Sequence, residues 1–184
     1  MRAALESIWI PMASRTLADS SFSHIVNAPI ERIDLAGWLL HLTSAEFRRC
    51  CPFAHIAAGL TTTDDRRPMW IAVETIGASL LVHHYVEEIT DPHHCRMVSI
   101  SDAFLPSGHV AMSVAWELSI EALDERGCEY INHLTAATGE LLSLIEGDPA
   151  RLESAAREYE QAFDSHNEQE TPLIAESIER RALA

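Results

Sequence analysis

Residues 109–123 read HVAMSVAWELSIEAL, and they carry the clearest periodicity in the chain. Val110, Met112, Val114, Trp116, Leu118 and Ile120 alternate with Ser113, Glu117, Ser119 and Glu121, the period of two expected of a strand with one packed face and one polar face. Similar segments flank it: RRPMWIAVETI (66–76), SLLVHHYVEEI (79–89), HCRMVSISDAF (94–104) and GCEYINHLTA (127–136). Turn-forming residues separate them at Gly77-Ala78, Asp91-Pro92, Pro106-Ser107-Gly108 and Asp124-Glu125-Arg126-Gly127. Connections this short join neighbouring strands as hairpins, so the region from about residue 57 to 136 is expected to form an antiparallel meander.

Upstream, SFSHIVNAPIERIDLAGWLLHL (21–42) opens with an extended stretch, Phe22 to Asn27, that ends at Ala28-Pro29, because proline disfavours α geometry in the residue before it. Ile33, Leu35, Ala36, Leu39, Leu40 and Phe47 then follow a helical rhythm, and Thr43-Ser44 can cap a second short helix running to about Cys51. Residues 1–21 are loosely patterned and read as an N-terminal extension to a single domain spanning 22–184. Downstream of the meander the period becomes helical. Leu141, Leu142, Leu144 and Ile145 make one stripe, with Gly147 as a stop, Asp148 as an N-cap and Pro149 at the first helical position. Leu152, Ala155, Ala156, Tyr159, Ala162 and Phe163 make a second stripe at spacings of three and four, able to face a sheet. SHNEQETP (165–172) reads as a polar break before a last amphipathic segment that starts at Thr171-Pro172; a pocket lid or partner contact is the functional alternative.

Bulk composition narrows the function. The formal net charge of −15 repels nucleic acid and anionic membranes, and the pairs Arg48-Arg49, Arg66-Arg67 and Arg180-Arg181 are too small to offset it. All 13 basic residues are arginines, so chemistry that needs a lysine amine, such as Schiff-base formation, pyridoxal phosphate attachment or a P-loop, has no residue to perform it. The glycines form no G-x-G-x-x-G. Glu6 and Pro11 interrupt the N-terminal apolar stretches, and no run is long enough to span a membrane, so a cytoplasmic protein without membrane insertion is expected. Cys50, Cys51, Cys95 and Cys128 read as reduced thiols in that compartment.

Four of the ten histidines lie in residues 80–104, which raises the question of a metal site. With a tight turn at Asp91-Pro92, Ile89 faces His94 and His83 faces about Ile100. His83-His84 and His93-His94 are therefore far apart along the hairpin. Within each pair, neighbouring strand residues point to opposite faces. A metal requires ligands converging at about 2.0–2.3 Å, which this hairpin cannot provide. The expectation is no metal and no cofactor.

The order of a strand ending in NAPIERI, a helical insert carrying GWLLHL, an antiparallel meander and a C-terminal helix resembles the START-like or SRPBCC superfamily, in its polyketide cyclase/aromatase-like branch. The strongest local similarity is HIVNAPIERIDLAGWL (24–39), and the likeness in element order covers roughly residues 22–165. The resemblance implies an α+β helix-grip fold: a curved antiparallel sheet wrapped around a long C-terminal helix, with small helices after the first strand. It also implies a deep apolar cavity between sheet and helix that holds a hydrophobic small molecule. The family's oxygenase branch uses C-x-H and C-x-x-H cluster ligands, which this chain lacks.

Cavity chemistry must come from the residues themselves. Glu74, flanked by apolar residues, could serve as a general base with a raised pKa, or could lie on the polar face. His84 shares a face with Val82 and Val86 and is the better cavity candidate of its pair. His133 and Asn132 occupy opposite faces, so one at most points inward. Ser101, His133 and Asp102 compose a triad on paper, but Ser101 and Asp102 diverge along their strand and no G-x-S-x-G elbow is present. The candidate titrating groups are therefore Glu74, His84, Asp102 and His133, and the candidate ligand contacts are Trp70, Tyr85, Ser101, Trp116, Asn132 and Phe163. The leading expectation is a protein that binds an apolar or aromatic small molecule. The rival is a cyclase, dehydratase or hydrolase acting on such a molecule by acid–base catalysis, and a third reading is an adaptor with a collapsed cavity. An enzyme requires two converging ionisable side chains, a binder an open apolar pocket, and an adaptor neither. The exposed period-two face could support a homodimer.

Overall fold

The computed structural model describes residues 15–106, 108–138 and 149–184. Seven strands form one antiparallel sheet: β1 (Arg15–Val26), β2 (His55–Thr62), β3 (Pro68–Ile76), β4 (Ser79–Asp91), β5 (His94–Leu105), β6 (Gly108–Ala122) and β7 (Cys128–Thr138). Their order across the sheet is β1-β7-β6-β5-β4-β3-β2, so every neighbour is a hairpin partner except β1, which closes on β7. Between β1 and β2 lie α1 (Leu35–Leu40) and α2 (Ser44–Cys50), and α3 (Pro149–Ala182) packs against β1 and β7. This is the helix-grip arrangement expected. Among the described residues no helix is long and apolar enough to cross a membrane.

Local chemistry explains most boundaries. Asp34 caps α1 by accepting the Gly37 N–H at 2.8 Å, and Thr43 caps α2 by accepting the Glu46 N–H at 3.2 Å. Gly77 at φ 59 takes the first central position of the β3–β4 hairpin, where a type II′ turn favours glycine. The alternation in β6 is realised, with Val110, Met112, Val114, Trp116, Leu118 and Ile120 all buried beneath the helices.

Four features depart from the sequence reading. β1 begins at Arg15, upstream of Phe22, because residues from Arg15 onward pair with β7. β2 was given no strand of its own in that reading, its alternation being weakened by Ala57, Ala58 and Gly59. The β4–β5 turn sits one residue further on, pairing Asp91 with His94, and a bulge between Glu87 and Ile89 then resets the register. Finally, Thr171-Pro172 starts no new segment: Pro172 lies inside the 34-residue helix α3. The carbonyl freed by Pro172 belongs to Glu168, which is exposed to water. The Leu141–Ile145 stripe, Gly147 and Asp148 fall outside the described residues.

A polar clamp fixes the small helices to α3. Trp38 Nε1 donates to Ser177 Oγ at 3.0 Å, and the Ser177 hydroxyl donates to Glu46 Oε1 at 2.7 Å. Arg180 and Arg49 donate to the same carboxylate, each at 2.6 Å. The Ser177 hydrogen bond, against some burial and with help from the two arginines, holds Glu46 down to about 2. A depressed carboxylate stabilises the fold above its unfolded pKa, and that contribution is lost as pH falls from about 4.5 toward 2. Glu46→Gln is therefore expected to cost about 2 kcal/mol at pH 7. Urea denaturation at a series of pH values should show wild type and variant converging below pH 4, and a gap that persists to pH 2 would rule this clamp out.

Candidate functional site

The inward face of the sheet and the inward face of α3 meet at a buried cluster of three histidines and two glutamates. Glu74 on β3 pairs across the sheet with His55 on β2. His83 on β4 stands opposite Ala72 of β3, whose small side chain leaves the imidazole room to reach Glu74. His166 and Glu170, one helical turn apart on α3, point down onto them. All five residues are buried, none above 7% exposure.

The distances have a regular pattern. His55 Nε2 lies 3.2 Å from Glu74 Oε2 and 3.2 Å from Glu170 Oε2, while His166 Nε2 lies 3.0 Å and 3.4 Å from the same two oxygens. The four atoms alternate nitrogen and oxygen around a closed ring. Charge-assisted hydrogen bonds run at about 2.7–2.9 Å, so these contacts are long for that role. Four ligands about 2.0–2.1 Å from a common centre stand about 3.3 Å apart in a tetrahedron, a length that the four nitrogen–oxygen edges match. Cys51 Sγ adds a sulfur, with the three ligand atoms of Cys51, His55 and His166 all within 4.8 Å of one another.

Three of the four ring members are steadied from behind. His55 Nδ1 donates to the Phe47 carbonyl at 2.7 Å, and its ring stacks on Phe47 at 3.8 Å. That donation leaves Nε2 as the inward nitrogen, facing the two carboxylates. Glu170 turns Oε1 to Asn132, which donates at 3.0 Å, and Asn132 in turn accepts from Trp116 Nε1 at 2.8 Å. Glu74 turns Oε1 toward His83 Nε2 at 2.8 Å. Outer contacts of this kind orient metal ligands and set their basicity.

Charges of both signs are held here. Burial opposes charge on His55, yet hydrogen bonds and charge from Glu170 and Glu74 raise it to about 10. Burial favours a neutral Glu170, but the charge of His166 and hydrogen bonds from His166 and His55 hold it at about 2. Glu74 is likewise kept well below the carboxylate range, chiefly by His166 against the cost of burial. The sequence reading allowed Glu74 a raised pKa from burial; the histidines reverse its sign. Two ionised carboxylates in the interior require either imidazolium partners or a cation.

The cluster borders a cavity enclosing about 10 Å³ of free space, room for about one water-sized occupant. The resemblance implies a deep apolar cavity, but here Trp70, Tyr85, Trp116, Phe47 and Phe163 fill most of the space between sheet and helix. Trp70, Tyr85, Trp116 and Phe163 line the cavity, Ser101 is buried against His83, and Asn132 is buried behind Glu170. The other three candidate titrating groups lie on the outer face. His84 and Asp102 pair with each other there at 3.2 Å, and His133 pairs with Asp19 at 2.7 Å. His83, not His84, is the inward member of its pair, because pairing of Trp70 with Tyr85 sets the odd-numbered residues of β4 inside. Asp102 shares its outer position with His109 at 2.7 Å, so Ser101, His133 and Asp102 form no triad.

The hairpin histidines do not converge: His93 binds the Ile30 carbonyl and His94 binds Glu117. A reading that seeks ligands close along the chain finds no metal set; the fold brings Cys51, at the end of α2, His55 of β2 and His166 of α3 within 4.8 Å of one another. Sequence reasoning missed His55, His166 and Glu170. The helical spacing of His166, Asn167, Glu170 and Thr171 on one face was the available signal, masked by Pro172.

No family model and no curated protein matches the sequence. Solved structures do match in shape. The ZhuI aromatase/cyclase from Streptomyces sp. R1128 aligns over 92% of this chain and 94% of its own, at 10% identity and a TM-score of 0.59. Norcoclaurine synthase from Thalictrum flavum covers 100% of this chain and 96% of its own, at 12% identity and a TM-score of 0.51. The di-domain aromatase/cyclase BexL of the BE-7585A biosynthetic pathway aligns over 91% of this chain but only 51% of its own, at 13% identity and a TM-score of 0.50. At such identities the likeness is one of fold: with a seven-stranded antiparallel sheet gripping one long helix, the chain has the helix-grip fold seen in these aromatase/cyclases and in norcoclaurine synthase.

Proposed function

We propose that this protein is an enzyme of the hydrolase, cyclase or dehydratase kind acting on an apolar or aromatic small molecule, with a divalent metal ion held by His55, Glu74, His166 and Glu170. The observation that carries this reading is the closed ring of two imidazole nitrogens and two carboxylate oxygens with edges of 3.0–3.4 Å. Two nitrogens and two oxygens on edges of this length suit zinc or a similar divalent cation. The cluster meets the requirement for two converging ionisable groups. With four protein ligands such an ion would reach a carbonyl or a water by expanding to five-coordination, and would then polarise the one or lower the pKa of the other. The chain's own residues hold the carboxylates ionised, keep the imidazoles oriented and surround the centre with aromatic walls that exclude bulk water.

Substrate access requires those walls to move. Trp70 separates the inner cavity from an outer apolar crevice lined by Leu39, Leu40, Leu60, Pro68 and Met97. Its indole nitrogen is buried without a hydrogen-bond partner, so leaving the wall forfeits no polar contact. The resemblance of the fold to aromatase/cyclases supports a flat, apolar substrate class.

Inductively coupled plasma mass spectrometry of purified protein, followed by titration of the stripped protein with zinc, tests the metal. One ion per chain is expected, and Glu170→Gln or His166→Ala should weaken zinc binding by more than about 100-fold, beyond the loss of an outer contact. Stoichiometric protein that takes up no metal would reduce the cluster to an imidazolium–carboxylate network. Removing one partner of that buried network is costly either way: Glu74→Leu should destabilise the metal-free protein by about 3–5 kcal/mol, against less than about 1 kcal/mol for the surface change His84→Ala. Chemical denaturation measures both. For access, Trp70→Ala is expected to open a cavity that binds added indole with a rise in Tm, which wild type should not show.

A further inference from the structure

The outer face of the sheet, turned away from α3, is divided in character. On β3 to β6 it carries Ile71 and Val73, then Leu80, Val82 and Val86, then Val98, Ile100 and Phe104, and last the small Ala111 and Ser113. The register sets these side by side as one patch, in which Ile100, Phe104 and Leu80 stay 59%, 45% and 37% exposed. Ionic groups rim it. Beyond Val98, Arg96 donates to Glu88 and Glu117 at 2.6 and 2.7 Å, and toward β1 His133 pairs with Asp19 at 2.7 Å. An antiparallel sheet with one solvated face commonly turns polar residues to water, and an apolar area rimmed by polar groups marks a contact surface. With strands about 4.8 Å apart and about 3.3 Å per residue, the patch covers roughly 300–400 Å².

We infer that this face is where two copies of the chain meet, sheet against sheet, about a two-fold axis running along the strands between β4 and β5. Charge points to the occupant. The chain carries a net charge of −15, so two copies repel each other wherever their carboxylates approach. Within the patch Asp102 is the one carboxylate, and both its oxygens are engaged, Oδ2 by His84 at 3.2 Å and Oδ1 by His109 at 2.7 Å. Side-chain size fits the symmetry. The axis lays β4 over β5 and β3 over β6 of the second copy, so that Leu80 meets Phe104, Val86 meets Val98, and Ile71 and Val73 fall on the small Ser113 and Ala111. Each contact then occurs twice, as an isologous interface requires. The footprint is smaller than the ~800 Å² per partner of a standard interface, which sets the affinity in the micromolar range. Alternation in the sequence allowed a homodimer; strand register gives it a surface. Trp70 and the crevice beside it lie on the other side of the sheet, so the dimer leaves that route open and is independent of the metal reading.

Sedimentation velocity of the full chain from about 1 to about 200 µM tests the inference, because self-association depends on protomer concentration. Wild type is expected to pass from monomer to dimer across this range. Ile100→Asp brings like charges together across the axis and should weaken association by more than about 100-fold. Phe53→Asp, at a residue 93% exposed and off the patch, should leave it unchanged. Ile100 is exposed in the single chain, so an unaltered circular dichroism spectrum and Tm establish that the variant is folded. Leu80→Glu and Phe104→Arg should each be monomeric alone and associate when mixed, since Leu80 of one copy faces Phe104 of the other. A wild type still monomeric at the top of the range would overturn the inference, whether the face then proves to be covered by another part of this chain or by a different protein. So would a dimer that Ile100→Asp leaves intact, or a mixture of Leu80→Glu and Phe104→Arg that stays monomeric.

Discussion

Two carboxylates, Glu74 and Glu170, are buried between sheet and helix, and the architecture around them follows from the need to balance their charge. An isolated carboxylate in a low-dielectric interior takes up a proton instead of remaining ionised. Both are held ionised here by imidazoles delivered from opposite layers, His55 from the sheet and His166 from α3. Sheet and helix are therefore joined through this charge cluster as well as through apolar contact. Asn167 reinforces the join by donating to the Ser20 and Asn132 carbonyls at 3.0 and 3.2 Å.

The cluster also accounts for the crowding of aromatic rings. Trp70 stacks against Tyr85 and Trp116 with centroids 6.1 and 5.7 Å apart, and His83 continues the row beyond Tyr85. Low polarity around the ring of ligands strengthens every charge interaction within it. The same rings leave little free space, so a substrate must displace a side chain, and Trp70 stands where displacement connects inside to outside. Shape is shared with aromatase/cyclases at 10–13% identity. A common scaffold of this kind positions side chains without dictating which chemistry they perform.

How much could be read in advance differs by residue. Trp116 and Phe163 follow from periodicity, since each lies in a run whose apolar face is unambiguous. For β4 both faces carry aliphatic residues, Leu81 on one and Val82 and Val86 on the other, so composition could not choose between His83 and His84. The choice is made by cross-strand pairing with β3, where Trp70 meets Tyr85. His55 sits at the start of a strand whose alternation is diluted by small residues, and its bulge after His55 shifts the remainder. His166 and Glu170 stand in a segment whose polarity and proline suggest a break, yet the helix continues because Pro172 frees a carbonyl on the exposed side.

The sequence by itself determined the layers: a meander of alternating strands, short capped helices after the first strand, and helical segments after the last, because period, turn residues and caps act within a few residues of one another. It also determined what the protein lacks, above all any lysine for amine chemistry. The site was decided by the tertiary structure, because His55, Glu74, His166 and Glu170 are far apart in the chain, and only strand register and helix docking bring their imidazole nitrogens and carboxylate oxygens within 3.4 Å. Convergence of that kind leaves no local trace, since each member taken alone is an ordinary polar residue on a half-buried face.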